Sequence, residues 1–164
     1  AMNKKLWLTI PVLLGAVYAG SASAELLIGA KAGAVDYDIG GSDPGVNGSF
    51  RLGFEVFDLV AADIAVEAEV STSLTDGEIG GADASLDTTG VYASLITAGP
   101  VYFIGRVGYV DAEVDIGGTT FDDSGTSMGA GIGISTAGLR WEIEYTTFEV
   151  ENVDINYITL GLSF

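Results

Sequence analysis

The stretch Leu139-Arg140-Trp141-Glu142-Ile143-Glu144-Tyr145 alternates between apolar and polar side chains without a break. Successive side chains of a β-strand point to opposite faces, so the stretch predicts a strand with one apolar and one charged face. The stretch before it, Met128-Gly129-Ala130-Gly131-Ile132-Gly133-Ile134-Ser135, alternates in the same way, with small residues in place of the charges. The fold therefore depends on which face meets water and which meets an apolar environment.

The same alternation continues along the chain and predicts eight strands. Their predicted ranges are 26–38, 48–57, 60–74, 86–96, 100–115, 124–135, 139–151 and 154–164. Tight turns are predicted at 58–59, 97–99 and 136–138, and longer loops rich in Gly, Asp and Ser at 39–47, 75–85 and 116–123. Short turns at one end and longer loops at the other are typical of outer-membrane barrels. The sequence predicts an all-β fold, an eight-stranded antiparallel up-and-down transmembrane β-barrel, as one domain over residues 25–164.

The polar face is the one that would face the barrel interior. It carries all four basic residues after position 24 at mid-strand, together with many glycines. Glycine weakens a solvated strand, whereas inside a narrow barrel it leaves room for side chains from the opposite wall. A soluble sandwich or lipocalin-like barrel, with its apolar face inward, is the disfavoured alternative. The aromatic side chains expected on the lipid face are Phe50, Phe54, Phe103, Tyr109, Trp141, Tyr145 and Phe164.

Ten charged residues are predicted to form an ion-pair network in the lumen. They could be an ion path or gate, or a structural network that replaces an apolar core. The structural role is favoured, because charges in a filled eight-stranded interior have to be paired. The predicted members are Lys31, Arg51, Glu55, Asp63, Glu67, Glu69, Arg106, Arg140, Glu142 and Glu144.

The beginning of the chain has the pattern of a secretory signal peptide. Lys4 and Lys5 precede an apolar run, Leu6 to Ala19, and the small residues Ala22-Ser23-Ala24 follow it. A membrane anchor helix is disfavoured because the run is short. We therefore expect residues 1–24 to be a cleaved signal peptide, with Ala1 as an artificial addition. The remaining chain keeps four basic and 23 acidic residues, a net charge of −19 that disfavours a nucleic-acid partner.

Near one end of the barrel the pattern inverts, so that acids follow the outward face and apolar residues the inward face. The inward residues predict an apolar plug, or else an apolar mouth that admits a hydrophobic small molecule. The plug residues are Val35, Tyr37, Val110, Val114, Phe148 and Val150. The outward acids form an extracellular rim that either binds divalent cations weakly or only condenses ions on a solvated surface; no EF-hand spacing occurs. The rim residues are Asp36, Asp38, Asp111, Glu113, Asp115, Glu149 and Glu151.

Three stretches carry a resemblance to a known family. They are Gly90-Val91-Tyr92-Ala93-Ser94-Leu95, Ile104-Gly105-Arg106-Val107-Gly108-Tyr109, and the segment from Tyr157 to Phe164. With the strand layout they make residues 25–164 similar to the small outer-membrane barrels, such as the transmembrane domain of outer membrane protein A and outer membrane protein X. The resemblance implies an outer-membrane location in a Gram-negative cell envelope. It also implies a signal for the barrel assembly machinery, at Tyr157, Ile158, Leu160, Leu162 and Phe164.

The resemblance also bears on function. Hydrolases and acyltransferases with such barrels use a histidine, and this chain has no histidine and no cysteine. We therefore expect no enzymatic activity, no cofactor, and a monomer whose partners are outer-membrane lipid and the assembly machinery. The leading hypothesis is a structural or surface-interaction protein with a filled, salt-bridged lumen. The alternative is a low-conductance, cation-preferring channel or a conduit for hydrophobic solutes.

Overall fold

The computed structural model describes residues 25–150 and 153–164, with only the backbone of Val150, and these residues are almost entirely β-structure. The predicted signal peptide lies outside the described residues. Eight long strands are β1 (Leu26–Tyr37), β3 (Gly45–Asp58), β4 (Ala62–Thr75), β6 (Ala82–Thr97), β7 (Val101–Ile116), β8 (Thr119–Thr136), β9 (Leu139–Val150) and β10 (Val153–Ser163). Two short strands are β2 (Ser42–Asp43) and β5 (Gly77–Ile79).

The eight long strands close into a barrel. Each pairs with its neighbour in antiparallel fashion, and β1 pairs with β10 from Gly29–Ser163 to Tyr37–Ile155. Ile28 and Phe164 extend this seam by exchanging backbone hydrogen bonds of 2.9 and 3.0 Å. Closure leaves none of these eight strands with an unpaired edge. The predicted eight-stranded up-and-down barrel is confirmed.

We call the end that holds Leu26 and Ser163 the lower end and the opposite end the upper end. At the lower end the strands are joined through 59–61, 98–100 and 137–138. Ala137 and Gly138 have φ of 52° and 81°, so both central residues of this two-residue hairpin turn are left-handed. No helix among the described residues is long and apolar enough to cross a membrane.

The prediction of longer loops at the upper end holds for the connections 38–44 and 76–81, which contain the short strands β2 and β5, and is wrong for 116–123. Ile116 pairs with Thr119 across the two-residue turn Gly117–Gly118, and β5 and β6 meet across a similar turn at residues 80–81. The first predicted loop, 39–47, contains β2 and the start of β3. Glycine pairs at these places make tight hairpins, and the polar residues beside them remain in the ladder. The strands therefore extend further upward than their composition suggests.

The outward surface has an apolar band around its middle and lower part. On β7 the outward residues 101 to 109 are apolar, aromatic or glycine, and Phe103 is 60% exposed. These eight steps correspond to roughly 20 Å along the barrel axis at the usual strand rise and tilt. Phe54 is predicted to be exposed to lipid, but its side chain is buried. Its cross-strand neighbours Leu26 and Val66 are both exposed. The band has the character of a surface in contact with lipid.

Candidate functional site

A belt of ion pairs fills the middle of the lumen, with Arg106 at its centre. Its Nη2 lies 2.9 Å from Glu67 Oε2 and 2.8 Å from Glu69 Oε2, and its Nη1 donates to Glu144 Oε1 at 2.9 Å. The guanidinium also stacks on the ring of Tyr92, with Cζ 4.1 Å from the ring centre. Arg106 is thus shared among three carboxylates that come from two walls of the barrel.

Two further cations complete the belt. Lys31 Nζ lies 2.9 Å from Glu69 Oε2 and 3.0 Å from Glu144 Oε1. Arg51 Nη1 lies 2.7 Å from Glu142 Oε1, and Arg51 Nη2 donates to Ser163 Oγ at 3.0 Å. The belt therefore holds three cations and four carboxylates, almost all fully buried, and removing one partner would leave the others uncompensated.

The remaining three predicted members lie nearer the lower mouth. Arg140 and Glu55 form a separate pair of 3.3 Å, and the Arg140 side chain is 22% exposed. Asp63 makes no ion pair with any described residue, because it lies at the start of β4, where its backbone is in register with Asp58 and Ile96. The prediction that Asp63 belongs to the same network is therefore wrong in its contacts, although the residue is on the inward side.

An apolar cluster closes the lumen above the belt, and we call it the upper plug. Of the predicted residues, Val35, Tyr37, Val110, Val114 and Phe148 are all in it and at most 5% exposed. The side chain of Val150 lies outside the described residues. Phe148 stacks on Tyr157 with ring centres 5.7 Å apart. The plug also contains members that the predicted set lacks, namely Ala84, Leu86, Ala112, Ile155 and Tyr157.

A second apolar cluster, which sequence analysis missed, closes the lumen below the belt. This lower plug consists of Leu27, Ala65, Ile96, Tyr102 and Ile104. The alternation of apolar and polar residues could have predicted this plug. Ile104 is two residues before Arg106 and Ala65 two before Glu67, so these apolar side chains point to the same inward face as the belt charges. Tyr102 joins this plug to the belt, since its hydroxyl donates to Glu142 Oε2 at 3.2 Å.

The described residues line a small cavity within the belt and a larger one at the upper mouth. The smaller, about 20 Å³, is beside Lys31 and Glu69 at the top of the belt. That volume suits about one water molecule, which would hydrate Glu69, the belt carboxylate that is partly exposed. The larger, about 170 Å³, is a half-open apolar cup at the upper mouth, with Tyr37, Val114 and Ile155 among its lining residues. The upper end therefore has a packed plug with an apolar cup above it, and the entry of a small molecule into that cup stays a prediction.

The outward surface at the upper end is an acidic collar. Register places Glu113 opposite Asp87 on one side and Asp122 on the other, so three carboxylates form a row across three strands. Of the predicted rim, Asp36, Asp38, Asp111 and Glu149 are exposed, and Glu113 and Asp115 are half-buried. Glu151 lies outside the described residues. Asp115 accepts hydrogen bonds from Gly118 N and Thr120 Oγ1 and so has a structural role in the turn.

No group of three or more acidic side chains in the described part of the chain is arranged to hold a metal ion. The predicted assembly residues divide between the two faces of β10. Ile158, Leu160 and Phe164 are exposed on the outward face and Leu162 is half-buried, whereas Tyr157 is buried in the upper plug. Their recognition by the assembly machinery stays a prediction.

No protein-family model matches the sequence, and no curated protein matches it significantly. The structure, however, is similar to solved outer-membrane barrels. Neisserial surface protein A is 19% identical with a TM-score of 0.60, and 87% of this chain and 98% of that chain are covered.

Two further solved structures are similar in the same way. The attachment invasion locus protein Ail of Yersinia pestis, solved with the heparin analogue sucrose octasulfate, is 12% identical with a TM-score of 0.57 (86% and 97% covered). The outer membrane enzyme PagL is 14% identical with a TM-score of 0.59 (84% and 98% covered). At these identities the likeness concerns the fold alone. The chain is therefore a small eight-stranded β-barrel of the outer-membrane type.

Proposed function

We propose that this protein is a non-conducting, non-enzymatic barrel of the outer membrane, which stabilises the envelope and presents an acidic collar at the cell surface. The apolar band supports the membrane location, because such a surface is stable only against lipid. The collar supports a position of the upper end in water, because a row of carboxylates is stable only there. The longer connections 38–44 and 76–81 at this end are typical of the extracellular side of an outer-membrane barrel. The upper end is then extracellular and the lower end periplasmic.

The observation that carries the proposal is the three-layer filling of the lumen. The upper plug, the ion-pair belt and the lower plug follow one another along the axis, and Arg106 and Glu67 in the middle are each at most 4% exposed. An ion that crossed would have to displace two apolar clusters and separate paired buried charges. An eight-stranded barrel has an interior just wide enough for side chains to fill, and the described side chains of the two plugs and the belt occupy most of the axis of this barrel.

The fold alone does not decide between a structural protein and an enzyme, since PagL shares it. The composition favours the structural role. The chain has no histidine and no cysteine, so a nucleophile or general base would have to be a carboxylate, hydroxyl or amine. The buried carboxylates of the belt are all engaged with cations or with Tyr102.

The acidic collar indicates the kind of surface that this barrel can contact. Ail was solved with a polysulfated ligand, whereas a collar of carboxylates would repel such a molecule. We therefore propose that the collar attracts cations or basic surfaces. Its attraction would be long-range and would weaken as salt shortens the Debye length to about 8 Å at physiological ionic strength.

The test is the electrical conductance of the refolded protein in a planar bilayer. We expect the wild type to be silent, with insertion verified by protease protection in vesicles of the same lipid. A variant in which Tyr37, Val110 and Phe148 are serine should also stay silent, because the belt and the lower plug remain. Steady, cation-selective currents from the wild type would contradict the proposal and favour a small channel.

A further inference from the structure

The cup at the upper mouth has the construction of a small binding site. Its floor is formed by buried side chains of the upper plug, Tyr37, Val114 and Ile155, and its walls by Ile79, Ile116 and Phe121. Ile79 belongs to the short strand β5, which pairs with β6 beside the barrel mouth. The plug below makes the cup a dead end rather than the entrance to a conduit.

One polar group stands out in this apolar lining. The Tyr37 hydroxyl is buried and makes no hydrogen bond with any described residue, while the other described side chains that line the cup are hydrocarbons. A buried hydroxyl without a partner is costly unless something else supplies one. Burial, and secondarily the charge of Asp76, raises the pKa of Tyr37 to about 12, so the group stays protonated and can donate a hydrogen bond.

We propose that the cup binds one neutral, largely apolar molecule of about the size of a substituted benzene, whose oxygen accepts a hydrogen bond from the Tyr37 hydroxyl. The volume supports the size, because an apolar protein cavity of about 150 Å³ holds a benzene molecule. Neutrality is supported because the hydrocarbon lining disfavours a charge of either sign, and the nearby exposed acids Asp36, Glu149 and Asp154 also repel anions. The site goes beyond the structural role and does not depend on it.

The experiment uses acetophenone as the probe, with the barrel refolded into lipid nanodiscs and its isoleucine methyl groups observed by NMR. Binding in the cup should shift the methyl signals of Ile79, Ile116 and Ile155 in a saturable way. The outward residues Ile132 and Ile158 report partition into lipid and should shift only linearly. Cumene carries a methyl group in place of the carbonyl oxygen and is more hydrophobic, so the preference for acetophenone is measured as the ratio of the two affinities for the cup divided by the same ratio for partition into lipid. This preference should be roughly threefold to tenfold, as expected for one neutral hydrogen bond.

Two variants separate the parts of the proposal. Tyr37→Phe should remove the preference for acetophenone over cumene, while Ile79→Trp should fill the cup and abolish saturable binding of both. Ile132→Trp, on the lipid face, is the matched control and should change neither. Shifts confined to the lipid-facing methyls, or saturable binding that survives Ile79→Trp, would overturn the site. An unchanged preference in Tyr37→Phe would overturn the role of the hydroxyl.

Discussion

The guanidinium of Arg106 rests on the ring of Tyr92, 4.1 Å from its centre, at the point where three carboxylates converge. Tyr92 in turn lies against Gly90 and Gly108, where any side chain would meet its ring. Gly90 and Gly108 therefore leave the space that is needed by the ring that supports the central cation.

Gly108→Ala should lower the free energy of unfolding by about 1–3 kcal/mol, the usual cost of overpacking. A Cβ at this position would clash with the backbone oxygen of Val91 and would lie 2.5 Å from Tyr92 Cδ1, so both the pairing with β6 and the ring beside Arg106 have to shift. Gly105→Ala on the same strand is the control, because a Cβ there meets nothing within 4 Å. Urea titration of the refolded barrel in phospholipid vesicles measures both, and equal effects would contradict the packing role of Gly108.

Arg106→Ala should destabilise the barrel by about 3–5 kcal/mol, because it strands buried carboxylates without their shared partner. Arg106→Lys should cost less, since the charge remains. Arg140→Ala removes a single pair near the lower mouth and should cost about 1 kcal/mol or less. Equal losses of stability for Arg106→Ala and Arg140→Ala, measured in the same lipid, would show that the belt is not the centre of the network.

Leu160→Arg should cost about 2–4 kcal/mol, the penalty for a charge at the middle of a lipid-facing strand. Leu160 is 56% exposed within the apolar band. Asp36→Arg, on the outward face of the collar, is the comparison and should change the stability by less than about 0.5 kcal/mol. Normal stability of the Leu160 variant would mean that the band does not face lipid.

Glu113→Gln should stabilise the barrel by a few tenths of a kcal/mol or more at low salt, because Glu113 lies between Asp87 and Asp122. Asp111→Asn should have a smaller effect, since its cross-strand neighbours are Thr89 and Ser124.

Thermal unfolding with and without Ca²⁺ tests whether the acidic rim binds a divalent cation. If the row binds a divalent ion, Ca²⁺ will stabilise the wild type more than the Glu113 variant; pure ion condensation predicts nearly equal shifts.

Alkaline pH should lower the free energy of unfolding of the wild type more than that of the Tyr37→Phe variant. The pKa of Tyr37 is raised from 10 to about 12 in the folded barrel, so between these values the unfolded chain releases a proton that the folded chain keeps. Its contribution to stability is therefore complete below pH 10 and is lost as the pH rises to 12. Unfolding titrations should show a larger difference between the free energies of unfolding at pH 8 and pH 11.5 for the wild type than for the variant. An identical pH dependence would contradict the burial of the hydroxyl.

Strand number, closure and the inward position of the charges could be predicted because each follows from a period of two. Lys31, Arg106 and Glu144 lie on the inward face for that reason alone. The upper hairpins could not be predicted in the same way. Two consecutive glycines such as Gly117 and Gly118 are common both in long loops and in two-residue turns. Only the pairing of Ile116 with Thr119 in the structure shows that they form a turn. The contacts of Asp63 could not be predicted, because they depend on the position of the residue along the barrel axis as well as on the face of the strand.

The ion-pair belt also has a consequence for how the chain folds. Lys31 and Glu144 are 113 residues apart in sequence, and no local hairpin can bring them together. Contacts of such high sequence separation make folding slow, because loop-closure entropy is lost before they form. Lys31, on β1, and Glu144, on β9, come together only when β1 has paired with β10, so closure of this seam is the step at which the Lys31 ammonium exchanges water for its carboxylate partner.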